Sequence, residues 1–242
     1  FRLHMEPSTV PRRAEQQLNI IWHPSPNFGP RRDGARPDHI VLHYTAMDCA
    51  EKARDWLCNE EAQVSAHYVI SETGTVWQLV DEAKRAWHAG AGQWGGITDM
   101  NSRSIGIEIS NTGSQPFSEP QMTALETLMT GIMDRWPITP ERVIGHSDMA
   151  PGRKIDPGRR FDWRRLALRG LAIWPEMADD ADDFYQSATR FGFGVTDENR
   201  EQVLDAFRMR FRPHAEGPLS DDDAKVMAAL ARDWPNQTYC TS

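Results

Sequence analysis

Cysteine is scarce in this chain: Cys49, Cys58 and Cys240 are the only three among 242 residues. Three thiols cannot build a disulfide framework, and their spacing is not that of a zinc knuckle, so free thiols are expected, which fits a reducing compartment without requiring one. No apolar run approaches the roughly 18 residues of a membrane span, and the N-terminal stretch has no apolar signal core. The expected compartment is therefore the cytoplasm, with the periplasm as the alternative. Positive charge is also in deficit, with 27 Lys and Arg against 35 Asp and Glu for a net charge of −8. That speaks against a nucleic-acid binder, which needs a basic footprint. The local clusters Arg31, Arg32, Arg36 and Arg153, Lys154, Arg159, Arg160 read as solvated surface. What is present, 39% hydrophobic and 26% charged residues, suits a globular protein with one large core or a medium and a small one. A monomer is expected.

Along the chain, residues 1–38 are rich in Pro, Arg, Ser and Gly and predict an irregular lead-in packed on the domain after it. Residues 39–45 (HIVLHYT) have the β-branched content of a strand. Asp48 and Glu51 give a capping signal for a helix running to about Asn59. The runs SAHYVI and TVWQLV, separated by SETG, predict a hairpin. In SIGIEIS, residues 104–110, Ile105, Ile107 and Ile109 take one face while Gly106, Glu108 and Ser110 take the other. Ser118 and Gln121 predict a capping box, followed by Met122, Leu125, Met129, Ile132 and Trp136 at helical spacing until Pro137. The strand RVIGHS then leads into GHSDMAPGRKIDPG, residues 145–158, which has the composition of neither helix nor strand. The fold class is thus α/β, a mixed central sheet flanked by helices across residues 39–175. Residues 176–242 carry few strand signals: Thr196 opens one helix with Leu204, Phe207 and Phe211 on a face, and Ser220 caps another with Val226, Met227 and Leu230 inside. They predict a small helical domain whose thin core leans on its neighbour.

His43 near the end of the first strand, His146 after a later one, and Asp156 ten residues beyond make a ligand set for one catalytic zinc ion, with a fourth position left for water. Pro151, Gly152, Pro157 and Gly158 would fix the direction of the ligand that comes from the loop. A packed, hydrogen-bonded strand histidine is the competing explanation. Glu108 sits on the polar face of its strand, which is either solvated or part of the site; beside a metal-held water it would serve as general base. Lys154, two residues before Asp156, is either a surface lysine or an ammonium placed to stabilise an oxyanion. Asp148 can orient His146 or cap the turn, and is not assigned to the metal.

The motifs LHYTA, SAHYVISETGTVWQLV, AWHAG, SIGIEISN and GHSDMAPGRKIDPG, in this order, resemble the zinc-dependent N-acetylmuramoyl-L-alanine amidases, a superfamily that includes T7-lysozyme-like amidases and peptidoglycan recognition proteins. The likeness spans roughly residues 20–175 and is strongest, through HPSPNFGPRRDGARPDHIVLHYTA, to the Gram-negative branch acting on anhydromuropeptides. It implies zinc on His43, His146 and Asp156, catalytic roles for Glu108 and Lys154, and peptidoglycan fragments as the binding partner. It also implies sugar or peptide contacts from Tyr44, His67, Trp87 and His88, although core packing or strand hydrogen bonding explains each of these four equally well. Superfamily members that only recognise peptidoglycan typically replace a zinc ligand, which this chain does not. Residues 176–242 resemble a three-helix peptidoglycan-binding domain, with Arg208 where that family usually shows Gln.

Overall fold

The computed structural model describes residues 18–236; Cys240 and the first part of the lead-in lie outside them. The centre is a six-stranded mixed sheet built from β1 (Ile20–Trp22), β3 (His39–Tyr44), β4 (Tyr68–Ile70), β5 (Val76–Gln78), β7 (Ser104–Ile109) and β8 (Val143–Gly145). Across the sheet their order is β1-β5-β4-β7-β3-β8. Strands β4, β7, β3 and β8 run parallel, while β4 and β5 form the antiparallel hairpin expected around SETG. A separate ribbon pairs β2 (Phe28–Pro30) with β6 (Lys84–Ala86).

The alternation in β7 and β3 sorts their side chains between two layers. Ile40, Leu42, Ile105, Ile107 and Ile109 are fully buried and pack against Met122, Leu125, Leu128, Met129 and Ile132 of α3 (Glu119–Arg135). The opposite parity of β3 places Val41 in a second core and leaves His43 one residue short of the strand end. Helix α1 (Ala50–Leu57) covers the hairpin side, packing Ala50 and Leu57 near Val69, Trp77 and Leu79. The short α2 (Met100–Arg103) leads straight into β7, and α5 (Trp163–Leu168) adds Trp163 and Leu166 to the first core.

Three local expectations are corrected. The lead-in is not irregular throughout: the run Ile20–Trp22 pairs in parallel with β5 as an edge strand, a short apolar run masked by its Pro-, Arg- and Gly-rich surroundings. Helix α1 starts after Cys49 with no side-chain cap, because Asp48 pairs instead with Lys52. At α3, Ser118 Oγ accepts from the Gln121 N–H, but the Gln121 amide donates to the Ile70 and Ser110 carbonyls instead of closing the box.

Beyond residue 175 come α6 (Phe184–Phe191), α7 (Arg200–Phe211) and α8 (Asp221–Asp233), the last capped by Ser220 as expected. Their apolar side is not a core of its own. Phe184, Phe191, Val203, Phe207, Phe211, Met227 and Leu230 pack in one cluster with Val41, Trp94, Met100, Ile144 and Met149 from the sheet domain. Among the described residues no helix is long and apolar enough to cross a membrane.

Candidate active site

Parallel strands place their carboxyl ends on one side of a sheet, and binding crevices form there. His43 and Glu108 are register partners near those ends of β3 and β7. His146 follows β8 directly and opens a one-turn helix, α4 (His146–Met149), where the composition predicts neither helix nor strand. Asp148 caps this turn by accepting the Gly145 N–H at 2.8 Å, and Arg210 of α7 donates to the same oxygen at 2.7 Å. The chain then turns sharply: Arg153 and Lys154 N–H groups donate to the Ala150 carbonyl, with Gly152 at φ +76°. A further bond from Ser147 N–H to the Asp156 carbonyl, 2.9 Å, ties the two ends of the loop together. The loop is rigid for a visible reason: it carries His146 and Asp156 toward each other.

The outcome is a compact triad. His43 Nδ1 lies 2.9 Å from His146 Nδ1 and 2.9 Å from Asp156 Oδ2, and His146 Nδ1 lies 3.0 Å from that same oxygen. All three residues are buried. Burial, reinforced by the charge of His146, pushes His43 down to about 4. Burial alone would raise Asp156, but the two imidazoles of His146 and His43 packed against it hold it below the usual carboxylate range. A neutral imidazole with its outer nitrogen satisfied offers a lone pair, and the outer nitrogens are satisfied, His43 Nε2 by His88 at 3.0 Å and His146 Nε2 by the Ala89 carbonyl at 2.8 Å. Two nitrogen lone pairs and a carboxylate oxygen packed this closely repel one another unless a cation sits between them. The donor set fits zinc.

The triad lies at the floor of a cleft of ≈ 510 Å³, whose lining includes Tyr44, Trp87, His88, Glu108 and Lys154. Glu108 Oε2 is buried and has no hydrogen-bond partner. Burial pushes its pKa well above the ordinary value; Asp156 pushes the same way, and the Lys154 charge opposes both. An orphaned carboxylate of this kind is costly unless something arrives to use it. Trp56, Val64 and Ile155, all markedly exposed, form an apolar rim that periodicity did not mark as functional.

Of the four expected substrate contacts, Tyr44, Trp87 and His88 line the cleft, and His67 does not. His67 is buried with Nδ1 accepting from Gly106 N–H at 3.0 Å and Nε2 donating to the Lys84 carbonyl at 3.1 Å. It holds strands together, a role that residue type alone cannot reveal. Reasoning from sequence also missed Asn101 and Ser104, which hydrogen-bond to the His88–Ala89 segment behind the triad.

A His-His-Asp group that could hold a metal ion, with Glu108 and Lys154 lining the same cleft at the carboxyl ends of a mixed sheet, is the kind of site a hydrolase uses. The family profile described as N-acetylmuramoyl-L-alanine amidase matches residues 33–159, and the chain belongs to that family. It is 34% identical over 223 residues to N-acetylmuramoyl-L-alanine amidase AmiD of Escherichia coli, covering 78% of this chain and 80% of AmiD. The structure of E. coli AmiD in complex with anhydro-N-acetylmuramic acid-L-Ala-D-gamma-Glu-L-Lys superimposes with a TM-score of 0.74 at 33% identity, covering 84% of this chain and 92% of that one. AmpDh3 from Pseudomonas aeruginosa, in complex with anhydromuramic pentapeptide, gives 0.73 at 31% identity over 84% and 94% of the two chains.

Proposed function

We propose that this chain hydrolyses the amide joining the lactyl group of N-acetylmuramic acid, its 1,6-anhydro form included, to the L-alanine of peptidoglycan stem peptides, with one zinc ion on His43, His146 and Asp156. The observation that carries the reading is the convergence of three donor atoms within 4.8 Å of one another, below a carboxylate oxygen that has no partner. The anhydromuramic peptides bound to AmiD and AmpDh3 support soluble anhydro fragments as substrates.

Bound in this donor set, zinc supplies Lewis acidity, acidifying a water and polarising a carbonyl. Glu108 in its ionised form takes a proton from the water as the new C–O bond forms. Its raised pKa makes it a ready donor afterwards, and it returns that proton to the L-alanine nitrogen as the C–N bond breaks. The Lys154 ammonium faces the charge that develops on the carbonyl oxygen. The apolar rim of Trp56, Val64 and Ile155 gives the sugar or peptide a surface to lie on.

The same reading takes residues 176–242 as a peptidoglycan-binding-like unit. Its three helices support this, and Arg208, standing where Gln is usual, is buried against Asp223 and donates to the Gly217 and Pro218 carbonyls. That departure therefore falls inside the unit and not on a binding surface.

The test is mass analysis of a purified anhydromuramyl peptide after incubation with the zinc-loaded protein. Free anhydromuramic acid and intact peptide are expected, lost with a chelator and reduced at least about 100-fold in Glu108→Gln, in line with removal of a general base. Saturable binding of the muropeptide without any cleavage, at full zinc occupancy, would make the chain a recognition module instead.

A further inference from the structure

Both histidines of the triad are held from behind by one short segment. We propose that His88–Ala89, pinned by Asn101, sets the tautomer and ring direction of His43 and His146, with His88 as the positioning residue for His43. This rests on reading the two histidines as metal ligands.

The chain of hydrogen bonds can be followed from an atom whose role is fixed. The Met100 carbonyl only accepts, so the Ser104 hydroxyl donates to it. Ser104 Oγ then has only lone pairs to offer His88 Nε2 at 3.2 Å, which makes that nitrogen the protonated one. His88 Nδ1 is left as an acceptor, and it receives the His43 Nε2–H at 3.0 Å. His43 Nδ1 consequently presents a lone pair to the triad. At His146 the Ala89 carbonyl, which only accepts, lies 2.8 Å from Nε2 and takes its N–H. Arg153 Nη2, 3.3 Å from that nitrogen, donates to the same carbonyl at 2.7 Å, so His146 Nδ1 faces Asp156 unprotonated. One relay ends at His43 and one main-chain oxygen ends at His146, and they come from adjacent residues.

The segment itself is fixed three times over. Asn101 Oδ1 accepts the N–H groups of His88 at 2.9 Å and Ala89 at 2.8 Å. Ser65 Oγ accepts the Trp87 N–H at 2.9 Å. The strand below also makes room: a Cβ on Gly106 would lie 2.4–2.6 Å from Cγ, Cδ2 and Nδ1 of the His88 ring. A glycine inside a strand commonly marks such a close approach. With both ring nitrogens committed, His88 is a support for the triad and has no free atom for hydrogen bonding to a substrate.

Outer partners of metal-bound histidines typically alter affinity about 10- to 100-fold when removed. Zinc affinity, measured by competition with a chromophoric chelator, should fall by about that factor in His88→Leu and Asn101→Leu. Asn101→Asp keeps an oxygen for both N–H groups and should bind within about threefold of the unaltered protein, a rescue that loss of bulk packing does not predict. In the unaltered, metal-free protein, long-range proton–nitrogen NMR of the imidazoles should show His43 and His146 protonated on Nε2. Unchanged zinc affinity in His88→Leu, or His43 carrying its proton on Nδ1, overturns the proposal even if muropeptide hydrolysis is confirmed. Failure of the unaltered protein to bind zinc would instead remove the metal reading on which it rests.

Discussion

At the scale of single residues, the site works by contrast between charges that are answered and one that is not. Asp156 Oδ2 lies within 3.0 Å of both ligand imidazoles, whereas Glu108 Oε2 has no hydrogen-bond partner. Asp156→Ala should therefore cost the protein its zinc, read as metal equivalents after gel filtration, because a three-ligand centre tolerates loss of a ligand poorly. Retention of one equivalent would contradict the ligand assignment. Outside the site, Asp38 offers a check on the electrostatics. Burial pushes its pKa up, but hydrogen bonds from His39 and Arg103 outweigh this and bring it from the ordinary 3.8 down to about 2. A depressed folded-state value means the stabilisation is fully present above about pH 4 and is lost as the pH falls toward 2. Asp38→Asn should cost about 1 kcal/mol at pH 7 after allowance for solvent screening, with the gap closing by about pH 2, as followed by urea unfolding. A gap that is constant across that range would mean the ion pairs contribute nothing.

At the scale of elements, the outcome turns on where alternation places a side chain, and this decides what the sequence made legible. His43 and Glu108 were legible as candidates from parity near their strand ends, and His146 from following a strand directly. Lys154 and Asp156 lie well into the loop after β8 and were singled out by the motif GHSDMAPGRKIDPG and not by parity. His88 and His67 were not separable from substrate contacts, because their partners are a hydroxyl and main-chain groups from distant segments. The capping pair Ser118 and Gln121 was half legible for the same reason: carbonyls of β4 and the end of β7 compete for the Gln121 amide. Gly106 shows the converse, a residue whose meaning appears only when the ring above it is known. Gly106→Ala should destabilise by about 1–3 kcal/mol through overpacking in a buried strand. A change under a few tenths, by thermal or urea unfolding, would show that the His88 ring moves aside at little cost.

At the scale of the whole molecule, the three C-terminal helices are bound to the hydrolytic half by a shared core and by one fully buried ion pair. Arg210 reaches from α7 to Asp148 beneath His146, donates to the Val143 carbonyl at 3.0 Å, and stacks 4.2 Å from the Trp163 ring centroid. Breaking such a pair from one side leaves a buried charge without its counter-ion, so Arg210→Met should cost about 3–5 kcal/mol, and Arg210→Met with Asp148→Asn distinctly less. Equal losses in single and double variants would deny the coupling. Truncation after residue 175 should for the same reason yield an unstable protein, inactive on soluble and insoluble substrates alike, since Val41, Ile144 and Met149 lose their cover. The claim beneath all of this is that His43, His146 and Asp156 share one ion, and diffraction from zinc-soaked crystals on both sides of the zinc absorption edge tests it most directly. The account predicts a single strong anomalous peak at bonding distance, about 2.0–2.2 Å, from His43 Nδ1, His146 Nδ1 and an Asp156 oxygen. A zinc-dependent, active protein whose peak lies elsewhere, or touches fewer than these three side chains, would contradict it.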